Sequence, residues 1–558
     1  QSGTHNTALG DNALYANTAS HNTGVGQAAL HTNTSGGENV AVGSAAMQLN
    51  TTGGSNVGIG YAALYTNTTG VSNTAVGRRA LLANTTAQSN TGIGANSLTA
   101  NTTGTRNTAV GYDSLKSNTT GNYNVAVGSN NCLGLNTTGG YNTAVGDGSM
   151  QASTTASHNV AMGQGALYAN TTADSNTALG YAALFYNTTG TQNTAVGRGA
   201  LYNNTNNNYN VAVGNNALHA HTTGTNNVAV GCNAADSLTT GADNTALGRN
   251  TLQAATTHSN NVAIGNNALY ACTASDNVAI GRYAAMLTTT GTGNIVVGTN
   301  AFYTNTTGYS NIAIGNNAMH LNTSGYHNTA VGHASLDSNT TGVQGVAIGY
   351  SALGANTTGN DNTAVGDRAL PANTTASLNT AVGGNTSCGK DAIRANTTGS
   401  HNTGVGHNAL TMNTTASENT SIGADSLPEL TTGTGNAAIG RHAGRVASTG
   451  DNNTCLGFHA GYYLTTGDNN TFVGKSAGTV GSPSGQVNTG SNNFVLGNND
   501  VANLYCADTS ISSSDSRDKT DITNFTHGLN WVNQLNPITY RWDKRCWYDD
   551  NTPDGSKK

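Results

Sequence analysis

The sequence predicts an all-β protein, a parallel β-solenoid of about 29 seventeen-residue coils, because one repeat fills nearly the whole chain. The repeat reads Asn-Thr-Ala-Val-Gly-x-x-Ala-Leu-x-x-Asn-Thr-Thr-Gly-x-x along the 558 residues. Charged residues are only 8% of the chain and aromatic residues 6%, while glycine occurs 73 times, which is unlike an ordinary globular domain. A fixed period of this length is typical of stacked coils that bury their apolar faces against one another.

The first asparagine of the repeat sets its register. It falls at Asn73 and again at Asn107, two periods of 17 residues later, and 29 copies fit into residues 6–493. The interval grows to 23 residues after Asn379 and again after Asn470. We therefore predict a surface loop inserted into each of these two coils.

We number the columns of the repeat from this asparagine. Column four is apolar in every copy, as at Val76 and Val110, and column two is mostly threonine or valine. Since alternate residues of a strand share a face, columns two and four are predicted to point together into a continuous core. Column three is nearly always alanine or glycine, as at Ala75. A small residue on the second face predicts that another sheet or another subunit packs closely there.

The remaining columns predict turns. Column five is glycine in all copies, including Gly77 and Gly111, which predicts a positive φ angle or a close backbone approach. The stretch 80–81, Ala-Leu, is interpreted as a second, shorter strand. The Asn-Thr-Thr-Gly sequence at 67–70 has the chemistry of a turn. Aligned asparagines are predicted to form side-chain ladders along the rod, as in other stacked β structures.

Composition argues against several classes of function. The net charge of −6 without a basic patch gives no reason to expect nucleic acid, and no run of 18 apolar residues predicts membrane insertion. The seven cysteines form no Cys-x-x-Cys pair, so neither a zinc site nor a disulfide framework is indicated. The 15 histidines lack ligand spacing. We expect no metal and no cofactor.

The composition changes abruptly after Leu496. Residues 501–558 contain all three tryptophans and 15 of the 46 charged residues, and they lack the repeat. We therefore divide the chain into a repeat shaft at 1–497, a linker at 498–513 and a separate domain from 514 to 558.

The last segment contains two fixed motifs. The first is Ser-Asp-x-Arg-x-Lys and the second is Leu-x-Pro-x-x-Tyr-x-Trp, formed by Ser514, Asp515, Arg517, Lys519, Leu535, Pro537, Tyr540 and Trp542. This pair of motifs resembles the C-terminal intramolecular chaperone of endosialidases and of other phage tail spikes and fibres. The resemblance implies a small α+β domain that trimerises, templates the folding of a β-rich stalk and then cuts itself off.

The resemblance also places the cut between Ser513 and Ser514 and implies a single-turnover autoproteolysis. Ser514 would be the nucleophile and Lys519 its base, since a lysine of lowered pKa can activate a serine hydroxyl. Position 518 is aspartate where the family usually has leucine, which is expected to slow cleavage. The segment ending at Lys558 is shorter than the family's domain, so we expect it to be truncated. No enzyme that turns over a substrate is expected.

The repeat itself resembles the head repeats of trimeric autotransporter adhesins, which are Asn-Ser-Val-Ala-Ile-Gly units in a trimeric β-roll of shorter period. Residues 261–265, Asn-Val-Ala-Ile-Gly, are a close match in sequence. Similar arrays occur in fibres of phages and large viruses. The two resemblances together imply a homotrimeric fibre, extracellular or on the virion surface, that contacts a host-surface receptor, for which a glycan is one candidate. The alternative is a bacterial cell-surface adhesin or extracellular filament.

Other functions are weaker alternatives. A glycan-cleaving enzyme needs a placed pair of carboxylates, whereas the three glutamates, Glu38, Glu418 and Glu429, are far apart in the sequence. Ice binding by threonine columns is disfavoured because the paired threonines lie at a turn. Tyrosines that follow the leucine column suggest either a sugar-stacking stripe or edge packing, and we favour edge packing. These tyrosines are Tyr15, Tyr65, Tyr168, Tyr202 and Tyr270.

Overall fold

The computed structural model describes residues 3–382 and 390–503, and its regular structure is a single parallel sheet. Each of the 29 coils contributes one strand of three residues, from columns two to four. Every strand pairs in parallel with the strand of the next coil. All strands lie in a compact unit spanning Gln1–Asp500, and Val501–Lys558 forms a second unit. The predicted solenoid is confirmed.

The strand bounds follow the repeat. They are β1 Thr7–Leu9, β2 Thr23–Val25, β3 Val40–Val42, β4 Val57–Ile59, β5 Thr74–Val76, β6 Thr91–Ile93, β7 Thr108–Val110, β8 Val125–Val127, β9 Thr143–Val145, β10 Val160–Met162, β11 Thr177–Leu179, β12 Thr194–Val196, β13 Val211–Val213, β14 Val228–Val230, β15 Thr245–Leu247, β16 Val262–Ile264, β17 Val278–Ile280, β18 Ile295–Val297, β19 Ile312–Ile314, β20 Thr329–Val331, β21 Val346–Ile348, β22 Thr363–Val365, β23 Thr380–Val382, β24 Thr403–Val405, β25 Thr420–Ile422, β26 Ala437–Ile439, β27 Thr454–Leu456, β28 Thr471–Val473 and β29 Phe494–Leu496. We call the coil that contains strand βn coil n.

Each column is aligned with itself from coil to coil. Ala75 lies opposite Gly92, and Gly92 lies opposite Ala109. The alignment is kept across both 23-residue intervals, because β23 pairs in register with β24 and β28 pairs in register with β29. The insertion between β28 and β29 lies outside the ladder, as predicted. Most of the other insertion, at 383–389, lies outside the described residues.

The prediction of which face of the strand is buried was wrong. Ala75 and Ala109 of column three are fully buried, whereas Val76 and Val110 of column four are half-buried. The reason is the narrow interior of the coil. There column three faces column nine of the preceding coil, the column that is mostly leucine, as at Leu81. A β-carbon added to Gly58 would lie 3.2 Å from Cγ of one member of that column, Met47. The small residue of column three therefore accommodates the chain's own second segment, and the larger apolar residues point outward.

The predicted second strand is also wrong, because that segment is a succession of turns. Leu81, at φ 52°, has a left-handed backbone, as does Arg79 just before the segment, at φ 60°. Leu81 is nevertheless fully buried, and its amide donates to the carbonyl of Ser97 in the next coil at 2.9 Å. The left-handed conformation thus brings the leucine side chain inward without a β ladder.

The last coils exchange large and small residues between the two interior columns. Column three changes from alanine to Cys455 and Phe472, while the leucine column becomes glycine at Gly461 and Gly478. A β-carbon on Gly461 would lie 3.0 Å from Cδ2 of Phe472. The interior volume is conserved, which is the arrangement that close-packed cores tolerate best.

The described cysteines are free and mostly buried. Burial raises the pKa of the Cys132 and Cys455 thiols to about 12 and that of Cys272 to about 11. These thiols stay protonated at neutral pH and behave as small apolar side chains. Within residues 3–382 and 390–503 no group of three or more His, Cys, Asp or Glu side chains could hold a metal ion. The same residues include no helix long and apolar enough to cross a membrane.

Candidate assembly site

Column one forms a hydrogen-bonded asparagine ladder along the interior of the rod, as predicted. The side-chain oxygen of Asn73 accepts from the backbone amide of Asn90 at 3.0 Å, and the Asn73 amide itself donates to the side chain of Asn56 at 2.9 Å. Nδ2 of Asn73 donates to the carbonyl of Ala87 at 2.9 Å. Asn107 repeats the pattern, with its amide 2.9 Å from Oδ1 of Asn90. Each asparagine thereby ties its own coil to its neighbours.

A second ladder runs along column twelve. Nδ2 of Asn84 donates to Oδ1 of Asn67 at 2.8 Å and to the carbonyl of Ala87 at 3.1 Å. The Ala87 carbonyl therefore receives both ladders, because Asn73 also donates to it. The asparagines of both columns are buried, except that Asn6 and Asn493 at the two ends are half-buried. Each bond is worth about 1 kcal/mol net, but an unmade one would leave a buried amide unpaired at higher cost.

Gly77 and Gly111 of column five meet both conditions predicted for that column. Their φ angles are 133° and 125°, a range that L residues rarely adopt. A β-carbon on Gly77 would also lie 2.6 Å from the carbonyl oxygen of Gly94 in the next coil. The glycine column allows successive coils to approach this closely along the whole rod.

The second ladder is interrupted in coils 13 to 17, where column twelve carries other residues. His221 takes the first of these positions and is fully buried. Its Nε2 lies 2.7 Å from the carbonyl of Gly224, and because a carbonyl only accepts, Nε2 must be the protonated donor. Burial lowers the pKa of the His221 imidazole from its ordinary 6.5, since the desolvated site disfavours the cation. In these five coils the residues in place of asparagine are His221, Leu238, Ala255, Cys272 and Thr288; elsewhere Ser153 replaces it in coil 9, and Leu430, Ala447 and Leu464 replace it in coils 25 to 27.

We expect His221→Asn to stabilise the shaft and to reduce its sensitivity to acid. A histidine with a depressed folded pKa binds its proton more readily in the unfolded chain, so stability falls as pH drops through the unfolded value near 6.5. Asparagine restores an amide donor to Gly224 and removes this titration. The loss of Tm between pH 7.5 and pH 5 should therefore be smaller in His221→Asn than in the wild type. The control is His401→Asn, which changes an exposed histidine. An equal reduction in the loss of Tm there would contradict the assignment of the acid sensitivity to His221.

Columns two and four form a continuous outward face of the sheet, which we call the outer stripe. Ile59 is 39% exposed, Met162 46% and Ile295 43%, although all three belong to regular strands. Neither column contains a charged residue in any of the 29 strands. Sequence reasoning identified these columns but assigned them to the core. The constant small size of the residues in column three could have corrected this assignment, because a wide core would not require small residues there.

The predicted chaperone and cleavage residues lie outside the described residues. These are Ser513, Ser514, Asp515, Arg517, Lys519, Pro537, Tyr540 and Trp542, all within residues 504–558. Their roles stay predictions. The described part of the chain thus contributes the repeat residues of the prediction, while the chemical residues belong to the C-terminal segment.

Comparison with known proteins identifies that C-terminal segment. A family described as the chaperone of endosialidase matches residues 514–557. No curated protein matches the chain. The match begins at Ser514, the residue that the motif suggested as the nucleophile. The 29-coil shaft is therefore followed, at the C-terminal end of the chain, by a chaperone-of-endosialidase domain.

Proposed function

We propose that the protein is a structural fibre of a phage or virus, matured by its C-terminal chaperone and used for attachment to a host surface. The observation that carries the proposal is an unbroken, in-register rod of 29 coils followed by a chaperone-of-endosialidase domain. Near-identical coils can pair in many wrong registers, and non-local β pairing is slow to form. A folding nucleus at one end of the chain solves both problems.

The outer stripe supports assembly as a homotrimer. Two columns about 7 Å apart, repeated at roughly 4.8 Å spacing over 29 strands, cover on the order of 1,000 Å². Column two is mostly threonine or valine and column four is always apolar, so the stripe is an uncharged surface whose area matches one side of a standard protein interface. The stripe is uniform, uncharged and as long as the shaft. A further copy of this chain offers the same length and the same chemistry, so the stripes of three copies would cover one another.

Self-cleavage would then release the finished fibre. In the proposed step, Lys519 accepts the hydroxyl proton of Ser514, and the Ser514 oxygen attacks the carbonyl carbon of Ser513. The peptide bond breaks, leaving an ester to the serine oxygen and a free amine at residue 514, and water hydrolyses the ester. Once the chaperone has left, the shaft lacks its folding nucleus and is held by a kinetic barrier to unfolding.

Intact-mass analysis and multi-angle light scattering of the full-length gene product test this proposal. We expect trimers of chains ending at Ser513, and trimers of uncut chains for Ser514→Ala. The neighbouring Ser512→Ala is the matched control and should be cut normally. Uncut monomers in both the wild type and Ser514→Ala would remove the proposal.

The alternative is a bacterial cell-surface adhesin or extracellular filament. The Asn-Val-Ala-Ile-Gly sequence at 261–265, which resembles adhesin head repeats, favours it. A coiled-coil stalk or a membrane anchor encoded in the same gene would decide for the adhesin. A location of the gene among the structural genes of a phage or virus would decide for the fibre.

A further inference from the structure

A groove runs along coils 9 to 13 between columns six and ten. Its floor is column seven, where Gly148, Gly165 and Gly199 are joined by Ala182. In the described coils glycine occupies column seven only at these three positions. A β-carbon on Gly165 would lie 3.1 Å from Cε2 of Phe185. The groove therefore exists because column seven has glycine in three of four successive coils and only alanine in the fourth.

One wall of the groove is a ladder of stacked rings in column ten. The ring centroids of Tyr168 and Phe185 are 4.8 Å apart, those of Phe185 and Tyr202 5.3 Å, and those of Tyr202 and His219 5.1 Å. The rings cover each other's faces and turn their edges to the groove. Tyr168 and Tyr202 each stack face to face on Phe185, whereas the sequence favoured edge packing for the tyrosines of this column. The ladder thus forms an aromatic wall along the groove.

The opposite wall contains a separate tyrosine. Tyr181 in column six is 55% exposed and lies at the junction of two cavities, of about 280 and 270 Å³. Gln164 lies one coil before it and Arg198 one coil after it in the same column. Polar side chains line the two ends of the groove. They are Asn130, Asp147, Gln151 and Gln164 in the first cavity, and Arg198, Asn216 and His219 in the second.

We propose that this groove binds a linear oligosaccharide, with Tyr181 as its stacking platform. A sugar ring has an apolar face that packs on an aromatic ring and hydroxyl groups at its rim. Tyr181 offers the ring, while the carboxylate of Asp147 and the amide of Gln164 offer hydrogen-bond partners. The groove follows the rod axis over successive coils, so a chain of at least two sugars suits it better than a single sugar.

The groove stays accessible in the proposed assembly. Its lining residues belong to columns six, seven and ten, whereas the outer stripe uses columns two and four. The inference rests on the proposed attachment function and names the ligand class for it. A fibre could therefore bury its stripes and still present one groove from each chain.

The same arrangement occurs a second time, in coils 3 to 5. Tyr61 in column six is 55% exposed, Tyr65 lies in column ten, and Ala45 and Ala62 form a floor of small residues. These residues line a cavity of about 500 Å³. A tyrosine platform therefore again coincides with small residues in column seven.

Binding of the full-length protein to a printed array tests the inference. The array holds two probe sets, linear fragments of bacterial surface polysaccharides and glycans of animal glycoproteins, and binding to either set supports the groove. We expect Tyr181→Ala to weaken binding at least about tenfold. Tyr112→Ala is the matched control, because Tyr112 is 56% exposed in the same column but lies beside Asp113, whereas Tyr181 lies beside Ala182. It should bind as the wild type does.

A second variant fills the groove without removing the platform. In Gly148→Asn the new side chain enters the groove, and the backbone can adopt φ 62° because Asn216 occupies the same column at φ 53°. We expect the same loss of binding with an unchanged Tm.

Two outcomes would overturn the inference. One is no binding by the wild type on either probe set while light scattering finds processed trimers, which leaves the fibre proposal standing. The other is an equal loss in Tyr112→Ala. Binding that depends on Tyr181 in an unprocessed monomer would instead support the groove and remove the fibre proposal.

Discussion

Gly77→Ala is expected to destabilise the shaft by at least about 3 kcal/mol. The φ angle of 133° is a conformation that alanine scarcely adopts, and the added β-carbon would lie 2.6 Å from the carbonyl oxygen of Gly94. Neither conflict can be relieved locally, since both coils are held in register by the ladder. Stability in stacked repeats depends on each nearest-neighbour interface, so the rod should open at coil 5.

Thermal unfolding followed by circular dichroism, together with limited proteolysis, measures this effect. Gly481→Ala is the control, because nothing lies within 4 Å of a β-carbon at Gly481, which is exposed. We expect the Gly77 variant to unfold at a lower temperature and to be cleaved near residue 77, with the Gly481 variant unchanged. Equal stability of the two variants would show that column five does not depend on glycine.

The second large effect separates two adjacent residues, Ala109 and Val110. Ala109→Asp places a carboxylate in the closed interior, where Ala109 is 0% exposed, and should cost about 4 kcal/mol or more. Val110→Asp places the same group on the half-exposed outer stripe, where water can reach it. We expect Val110→Asp to keep the fold of the coil and to disrupt only the proposed trimer.

Circular dichroism and light scattering distinguish the two results. The Ala109 variant should lose ordered structure around coil 7, whereas the Val110 variant should melt like a folded shaft but elute as a smaller species. If Val110→Asp unfolded the chain and Ala109→Asp did not, the assignment of inner and outer faces would be reversed.

Register, turns and ladders were predictable from the sequence because they depend on identity at fixed positions. A glycine in every copy, such as Gly77, has few explanations other than backbone geometry. An asparagine in 28 of the 29 copies, such as Asn73, is best explained by coil-to-coil hydrogen bonding. The faces of the strand were not predictable in this way. Alternation indicates that Ala75 and Val76 point in opposite directions, but choosing the larger residue for the core presumes a core wide enough to hold it.

The second segment was missed for a different reason. Leucine avoids left-handed backbone conformations, so Leu81 at φ 52° contradicts its local preference. Burial of its side chain outweighs that cost, and no pattern in one repeat indicates this. The groove beside Tyr181 was missed because it depends on what column seven lacks in neighbouring coils. Gly165 and Tyr181 belong to successive coils and line the same cavity only when the coils are stacked.

The tolerance of the ladder for insertions has a consequence for how such a rod changes its length. The intervals of 23 residues before β24 and β29 leave both strands in register. The pairing of neighbouring strands therefore does not depend on the length of the chain that connects them. An in-frame duplication or deletion of one repeat would create no new kind of interface. Reach is therefore adjustable in single steps of roughly 4.8 Å, without redesign of the core, the ladders or the groove.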